Sequence, residues 1–109
     1  MIEIRQYVDR RGRDFYEEWF NRLDAFARSR VFSYLERLQH GNFSSVKGVG
    51  AGVFEIKLNF GPGYRIYFGK DGDKLVILLA GGTKKRQDDD IAAAQALWQE
   101  YKQRKREEL

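Results

Sequence analysis

Val53-Phe54-Glu55-Ile56-Lys57-Leu58-Asn59-Phe60-Gly61-Pro62-Gly63-Tyr64-Arg65-Ile66-Tyr67-Phe68-Gly69 reads as two alternating strands joined by a Gly-Pro-Gly turn. Side chains along a strand point alternately to opposite faces, so Phe54, Ile56 and Leu58 share one side while Glu55, Lys57 and Asn59 share the other. In the second run Tyr64, Ile66 and Phe68 alternate with Arg65 and Tyr67. The pattern predicts a sheet with one side turned to a core and an open side displaying Lys57, Arg65 and Tyr67. Two cations and a phenol on an open face suit a phosphate backbone better than a core.

The flanking segments supply the rest of a domain. Met1 to Val8 alternates Ile2 and Ile4 against Glu3 and Arg5, as a first strand would. Asp14 is placed to cap a helix in which Phe15, Trp19 and Leu23 recur every fourth residue. Asp24 caps a second helix, with Ala27, Val31, Tyr34, Leu35 and Leu38 on one face, and Gly41-Asn42 ends it. The two helices form a hairpin with a shared apolar side.

Phe43 to Gly52 reads as a flexible connection rich in Gly and Ser. Its glycines lack the preceding strand and following Gly-Lys-Ser/Thr of a phosphate-cradling loop. Lys70-Asp71-Gly72-Asp73 is a hairpin turn, and Leu75 to Ala80 is apolar throughout, as in a strand buried on both sides. Gly81 to Gln87 leads to a final helix on which Ile91, Ala94, Trp98 and Tyr101 share a face. Asp88, Asp89 and Asp90 sit at its positive end and Lys102 to Arg106 at its negative end. The predicted order is β-α-α-β-β-β-α: a single α+β domain over residues 1–109, with helices packed on one face of a small, largely antiparallel sheet.

Composition narrows the chemistry. A 109-residue chain that is 42% hydrophobic supports one modest core. The absence of cysteine excludes disulfides, thiolate zinc sites and a cysteine nucleophile. The one histidine, His40, stands beside Gly41 at a helix end and reads as a helix-terminal cation in preference to a catalytic base. With one histidine, and three aspartates facing different sides of a helix start, neither a metal nor another cofactor is expected. No apolar run is long enough to span a membrane and the N-terminus lacks a signal-type run, so a cytoplasmic protein without a membrane partner is expected. Net charge is +4, and Val46 to Arg86 holds eight basic and three acidic residues. The positive excess therefore lies on the sheet region, which points to a polyanionic partner.

These residues, in this order, resemble the RelE/ParE superfamily of bacterial toxin–antitoxin modules, and within it the HigB-like branch of phage-derived addiction-module killer proteins. The resemblance rests on Phe54-Glu55-Ile56-Lys57, on Gly63-Tyr64-Arg65-Ile66-Tyr67-Phe68, and on Leu78-Leu79-Ala80-Gly81-Gly82-Thr83-Lys84. Gln87, Asp90-Ile91, Ala94, Leu97 and Trp98 complete it. It implies a RelE-like fold, a metal-independent and ribosome-dependent mRNA endoribonuclease, and a cognate helix-turn-helix antitoxin. Arg65 matches the strand arginine on the scissile phosphate, Lys57 a basic residue on the neighbouring strand, and Lys84 a third catalytic or RNA-contacting position. Tyr67 is a candidate base platform or proton shuttle on the same face. Lys85 and Arg86, with Lys47, are candidate RNA-backbone contacts. Glu55 stands where some ribonuclease members carry a second lysine, and no tyrosine shortly follows the Gly-Gly segment, so no general base is assigned. Two other readings stay open: a ParE-like inhibitor of DNA gyrase, and a non-catalytic toxin that only binds its antitoxin.

Overall fold

A computed structural model describes residues 1–108. Its elements are β1 (Glu3–Gln6), α1 (Phe15–Asn21), α2 (Ala25–Gln39), β2 (Val46–Gly48), β3 (Val53–Lys57), β4 (Arg65–Lys70), β5 (Leu75–Gly82), a 3-10 turn (Lys84–Arg86) and α3 (Gln87–Glu107). The five strands form one mixed sheet in the order β1-β5-β4-β3-β2. Only β1 with β5 is parallel, in the register Glu3↔Leu75 to Gln6↔Leu78; every other pair is antiparallel.

The helix caps follow the sequence. The Asp14 Oδ1 accepts from the Glu17 backbone N–H at 2.9 Å, and the Asp24 Oδ1 from Ala27 at 2.8 Å. Each satisfies a donor that the first helical turn leaves free. His40 is the C-cap residue of α2. No side chain caps α3. Its first turn carries Asp88, Asp89 and Asp90 and its last Arg104, Lys105 and Arg106, opposing the helix dipole at both ends.

Two features differ from the expectation. First, Val46–Gly48 is a strand, pairing as Val46↔Ile56 and Gly48↔Phe54. Three residues at a sheet edge are too few to show alternation, so the segment looked like a plain loop. The turn after it is tied to α3, where the Gln95 Nε2 donates to the Val49 carbonyl at 3.0 Å. Second, the helices do not share one face of the sheet. Trp19, Val31 and Leu38 of α1 and α2 pack on Ile56, Ile66, Phe68 and Leu78. Ala94 and Trp98 of α3 cover the opposite face, against Val53, Tyr67, Ile77 and Leu79. The sheet is therefore the middle of three layers, with a core on each side. The side expected to be open is closed over most of its length by α3, and Tyr67 is fully buried there.

Close approach of the layers depends on missing side chains. A Cβ on Gly81 would fall inside the Trp19 indole, and one on Gly69 inside that of Trp98. Each tryptophan is thus seated directly on strand backbone.

Candidate functional site

The register of β3, β4 and β5 builds the site. Lys57 lies opposite Arg65, and Arg65 opposite Gly82; one row back, Lys47 lies opposite Glu55, Glu55 opposite Tyr67, and Tyr67 opposite Ala80. Directly opposed residues in a ladder point to the same face. These residues therefore share the α3 side of the sheet, at the end where α3 begins.

At the centre is a carboxylate that the sequence reading did not single out for a role. The Glu55 side chain is 1% exposed and that of Arg65 6%, and Arg65 Nε stands 2.9 Å from Glu55 Oε1. The Nε–H does not aim at that oxygen as a hydrogen bond would, so the pair is a charge contact. Gln87, the first residue of α3, donates through Nε2 to the same oxygen at 2.7 Å, and the Tyr67 hydroxyl donates to it at 3.4 Å. On the outer side the Lys47 Nζ is 3.5 Å from Glu55 Oε2. Burial, helped by the nearby charges of Glu55 and Asp90, pushes the Tyr67 phenol well above its ordinary range. Tyr67 is therefore a neutral donor at physiological pH. One signal could have found this hub: Glu55 falls between Phe54 and Ile56, on the same strand face as Arg65 and Tyr67.

The guanidinium of Arg65 points toward the β3–β4 turn, where Nη1 donates to the Gly63 carbonyl at 2.6 Å. Gly63 has φ +74°, a conformation that costs L side chains about 1–2 kcal/mol. Its ideal Cβ position lies 2.9 Å from Arg65 Nη1 and 3.2 Å from Lys84 Cβ. The backbone N–H of Lys84 donates to the Pro62 carbonyl at 3.3 Å. The turn thus draws the segment after β5 against the start of β4. Lys57, Asn59, Phe60, Gly61, Pro62 and Lys84 line a shallow open groove of about 460 Å³ beside it.

The structure so brings together Arg65, Lys57 and Lys84, which come from three separate segments. Lys57 and Lys84 are exposed, and Arg65 supplies a buried charge behind them. Lys47 joins through Glu55. Tyr67 is attached to the same carboxylate from inside the protein, with no exposed ring surface. Lys85 and Arg86 are exposed on the 3-10 turn, and Arg86 faces a different and larger groove, of about 960 Å³, between α1 and α3. Asp90 lines that second groove beneath Arg86, and a Cβ on Gly82 would fall within its carboxylate. Burial raises the Asp90 pKa above the usual carboxylate value, with Arg86 opposing the shift.

Chemically, the arrangement offers two point charges on a groove wide open to solvent, with a fork-shaped cation buried directly behind its turn. Planar guanidinium and flexible ammonium groups together can neutralise a phosphodiester from several directions. Among the described residues no group of three or more His, Asp or Glu side chains is placed to hold a metal ion. None of the helices is long and apolar enough to cross a membrane.

Comparison with known proteins covers the same region. The family described as Phage derived protein Gp49-like matches residues 18–102, from α1 into α3 and including every residue of the cluster. A protein of Haemophilus influenzae described as an uncharacterized protein is 41% identical over 86 residues, which is 78% of this chain and 87% of its own length.

Proposed function

This chain belongs to the Phage derived protein Gp49-like family, a family of addiction-module toxin type, and from that premise we propose that it is a ribosome-dependent mRNA endoribonuclease. Membership in such a family implies an antitoxin partner. In the proposed complex that partner is a helix-turn-helix protein, and the target is mRNA held by the ribosome.

The observation that carries the reading is the grouping of three cations at the Gly61-Pro62-Gly63 turn: Lys57 and Lys84 line the groove, and the buried Arg65 guanidinium lies behind it on the Gly63 carbonyl. Metal-independent cleavage of RNA uses the ribose 2′-hydroxyl as nucleophile on the adjacent phosphorus: the O2′–P bond forms as the hydroxyl gives up its proton, the P–O5′ bond breaks, and the departing 5′-oxygen takes up a proton, leaving a 2′,3′-cyclic phosphate. Negative charge then builds on the non-bridging oxygens, and cations fixed around them lower the barrier. In this proposal Arg65 forks onto the scissile phosphate, with Lys57 and Lys84 closing on it from the groove walls. Glu55, Gln87 and Tyr67 hold the guanidinium in place from behind. Lys47, Lys85 and Arg86 add backbone contacts at the rim.

The test uses purified protein and ribosomes translating a defined mRNA, with mapping of new 5′ ends. Wild type is expected to cut within the codon in the A site. Arg65→Lys keeps the buried charge but loses the fork, and is expected to cut about 10²–10³-fold more slowly, the usual loss for one preorganised donor. Uncut mRNA with the wild-type protein would overturn the proposal. Growth arrest with gyrase-linked DNA breaks would then support a ParE-like inhibitor.

The Glu55–Arg65 pair favours a second reading as well. A guanidinium already neutralised by a buried carboxylate suits a non-catalytic chain that only binds its antitoxin. Absence of both cutting and toxicity, with antitoxin binding retained, would select it.

A further inference from the structure

Phe26 and Phe32 are 66% and 65% exposed on α2. Their surroundings differ. Phe26 packs edge-to-face on Phe60, with ring centroids 5.8 Å apart, and Phe60 lines the groove that holds Lys57 and Lys84. One turn along α2, the Arg30 guanidinium lies 5.4 Å from the Phe60 ring centre, and its Nε is covered without a hydrogen-bond partner. A further turn on, the Tyr34 hydroxyl accepts from the Asn59 backbone N–H at 3.4 Å, and Arg37 lies 4.7 Å over the Tyr34 ring. Phe26, Arg30, Tyr34 and Arg37 are spaced by four, four and three residues, so they form a single ridge on the helix. The ridge runs for roughly 16 Å, with Phe26 as its exposed ring and Tyr34 buried in the core beside Arg37.

We propose that this ridge is a second RNA subsite, continuous with the cation groove, where Phe26 stacks a base of the strand and Arg30 and Arg37 meet its phosphates. The proposal rests on the ribonuclease reading above, which places a phosphodiester at the groove. Single-stranded RNA is recognised by stacking its splayed bases on aromatic rings and by guanidinium contacts to its backbone. The ridge offers both, and it begins at Phe26, which packs on the Phe60 ring in the groove wall. Phe32 provides an internal contrast. It packs on Phe20, on another flank of α2, and lines a groove with Ser33, Leu35, Glu36 and Gln39; Arg28 stands one turn before it, but that flank does not meet the groove of Lys57 and Lys84. A protein partner could cover either phenylalanine; Arg30 and Arg37 along the ridge and the contact of Phe26 with the groove residue Phe60 favour a polyanion at Phe26.

The experiment measures binding of a short fluorescein-labelled single-stranded oligouridylate by anisotropy, separately from cleavage. Phe26→Ala is expected to weaken binding about tenfold, the loss usual for one stacked base, and Phe26→Trp to preserve it. Arg30→Ala is expected to weaken binding and to flatten its dependence on salt. Phe32→Ala should leave both unchanged. The subsite is overturned if wild type does not bind the oligonucleotide, if Phe26→Ala binds as wild type does, or if Phe32→Ala loses as much. It is also overturned if Phe26→Ala changes only self-association in sedimentation, which would assign the ridge to a second copy of the chain. Ribosomal cleavage that is lost in Arg65→Lys while Phe26→Ala binds normally removes the subsite and leaves the ribonuclease reading standing. Absence of cleavage by wild type removes that reading whatever the oligonucleotide does.

Discussion

Arg65 and Glu55 neutralise each other inside the protein, 2.9 Å apart, with 6% and 1% of their side chains exposed. Removing one partner of such a pair strands the other in a medium that solvates it poorly, at a cost of about 3–5 kcal/mol. Glu55→Ala is therefore expected to lower unfolding free energy by about that amount in urea titration. The double variant Glu55→Leu/Arg65→Met is expected to recover most of the loss while remaining inactive in cleavage. Equal stability of Glu55→Ala and wild type would show that water reaches the pair.

Lys57 and Lys84 are exposed, so their replacement is expected to separate chemistry from folding. Each single change to alanine should leave unfolding free energy within about 0.5 kcal/mol of wild type. Each should also slow ribosomal cleavage. A matching loss of stability and activity would count against their proposed contact with phosphate.

Gly69 and Gly82 lie where a methyl group has no room, the first against Trp98 and the second against Asp90. The indole is rigid and packed, whereas the carboxylate ends a short side chain at a helix start. Gly69→Ala is expected to cost about 1–3 kcal/mol and to alter Trp98 fluorescence. Gly82→Ala should be rescued largely by adding Asp90→Ala, read as a non-additive double-mutant cycle. Additive effects would mean that the strand backbone, and not Asp90, absorbs the strain.

Asp71, in the β4–β5 turn, anchors the far end of α3. It accepts from the Tyr101 hydroxyl and pairs with Lys105. The Lys105 and Tyr101 contacts hold its carboxyl below the usual value. Its contribution is present above the ordinary carboxylate pKa of 3.8 and is lost as pH falls through the lowered folded value. Tyr101 runs the other way: burial first, then the bond and charge of Asp71, push its phenol up to about 12. Its contribution is complete below pH 10 and is lost as pH rises toward 12. Thermal melts of Tyr101→Phe across that alkaline range are expected to fall less steeply than those of wild type. Parallel curves would show that Tyr101 titrates alike in the folded and unfolded chains.

The elements easiest to read were those whose signals are local. The Asp14 and Asp24 caps, the period-two pattern of β3 and β4, the apolar run of β5 and the charge polarity of α3 all act within a few residues. What stayed hidden depends on distant partners. Glu55 and Arg65 each look solvent-facing alone; only as a pair, with Gln87 arriving from α3, do they tolerate burial. Strand alternation correctly put Lys57, Arg65 and Tyr67 on one side, but α3 covers that side through Trp98 and Ala94, and nothing in β4 announces this. β2 was missed because three residues carry no period. The convergence of Lys84 on Arg65 depends on the backbone of Gly63 and Pro62, which the sequence marks only as a turn.

The parallel pairing of β1 with β5 joins Glu3 to Leu75, and Gln87 reaches back to Glu55 from the beginning of the last helix. During synthesis the first strand must therefore wait, unpaired, for most of the chain to follow. The charged centre of the sheet acquires its last neighbour only as the C-terminal helix emerges. Such non-local closure is a slow step in folding. A nascent chain thus lacks the finished groove until Lys84, and behind it Gln87, have left the ribosome.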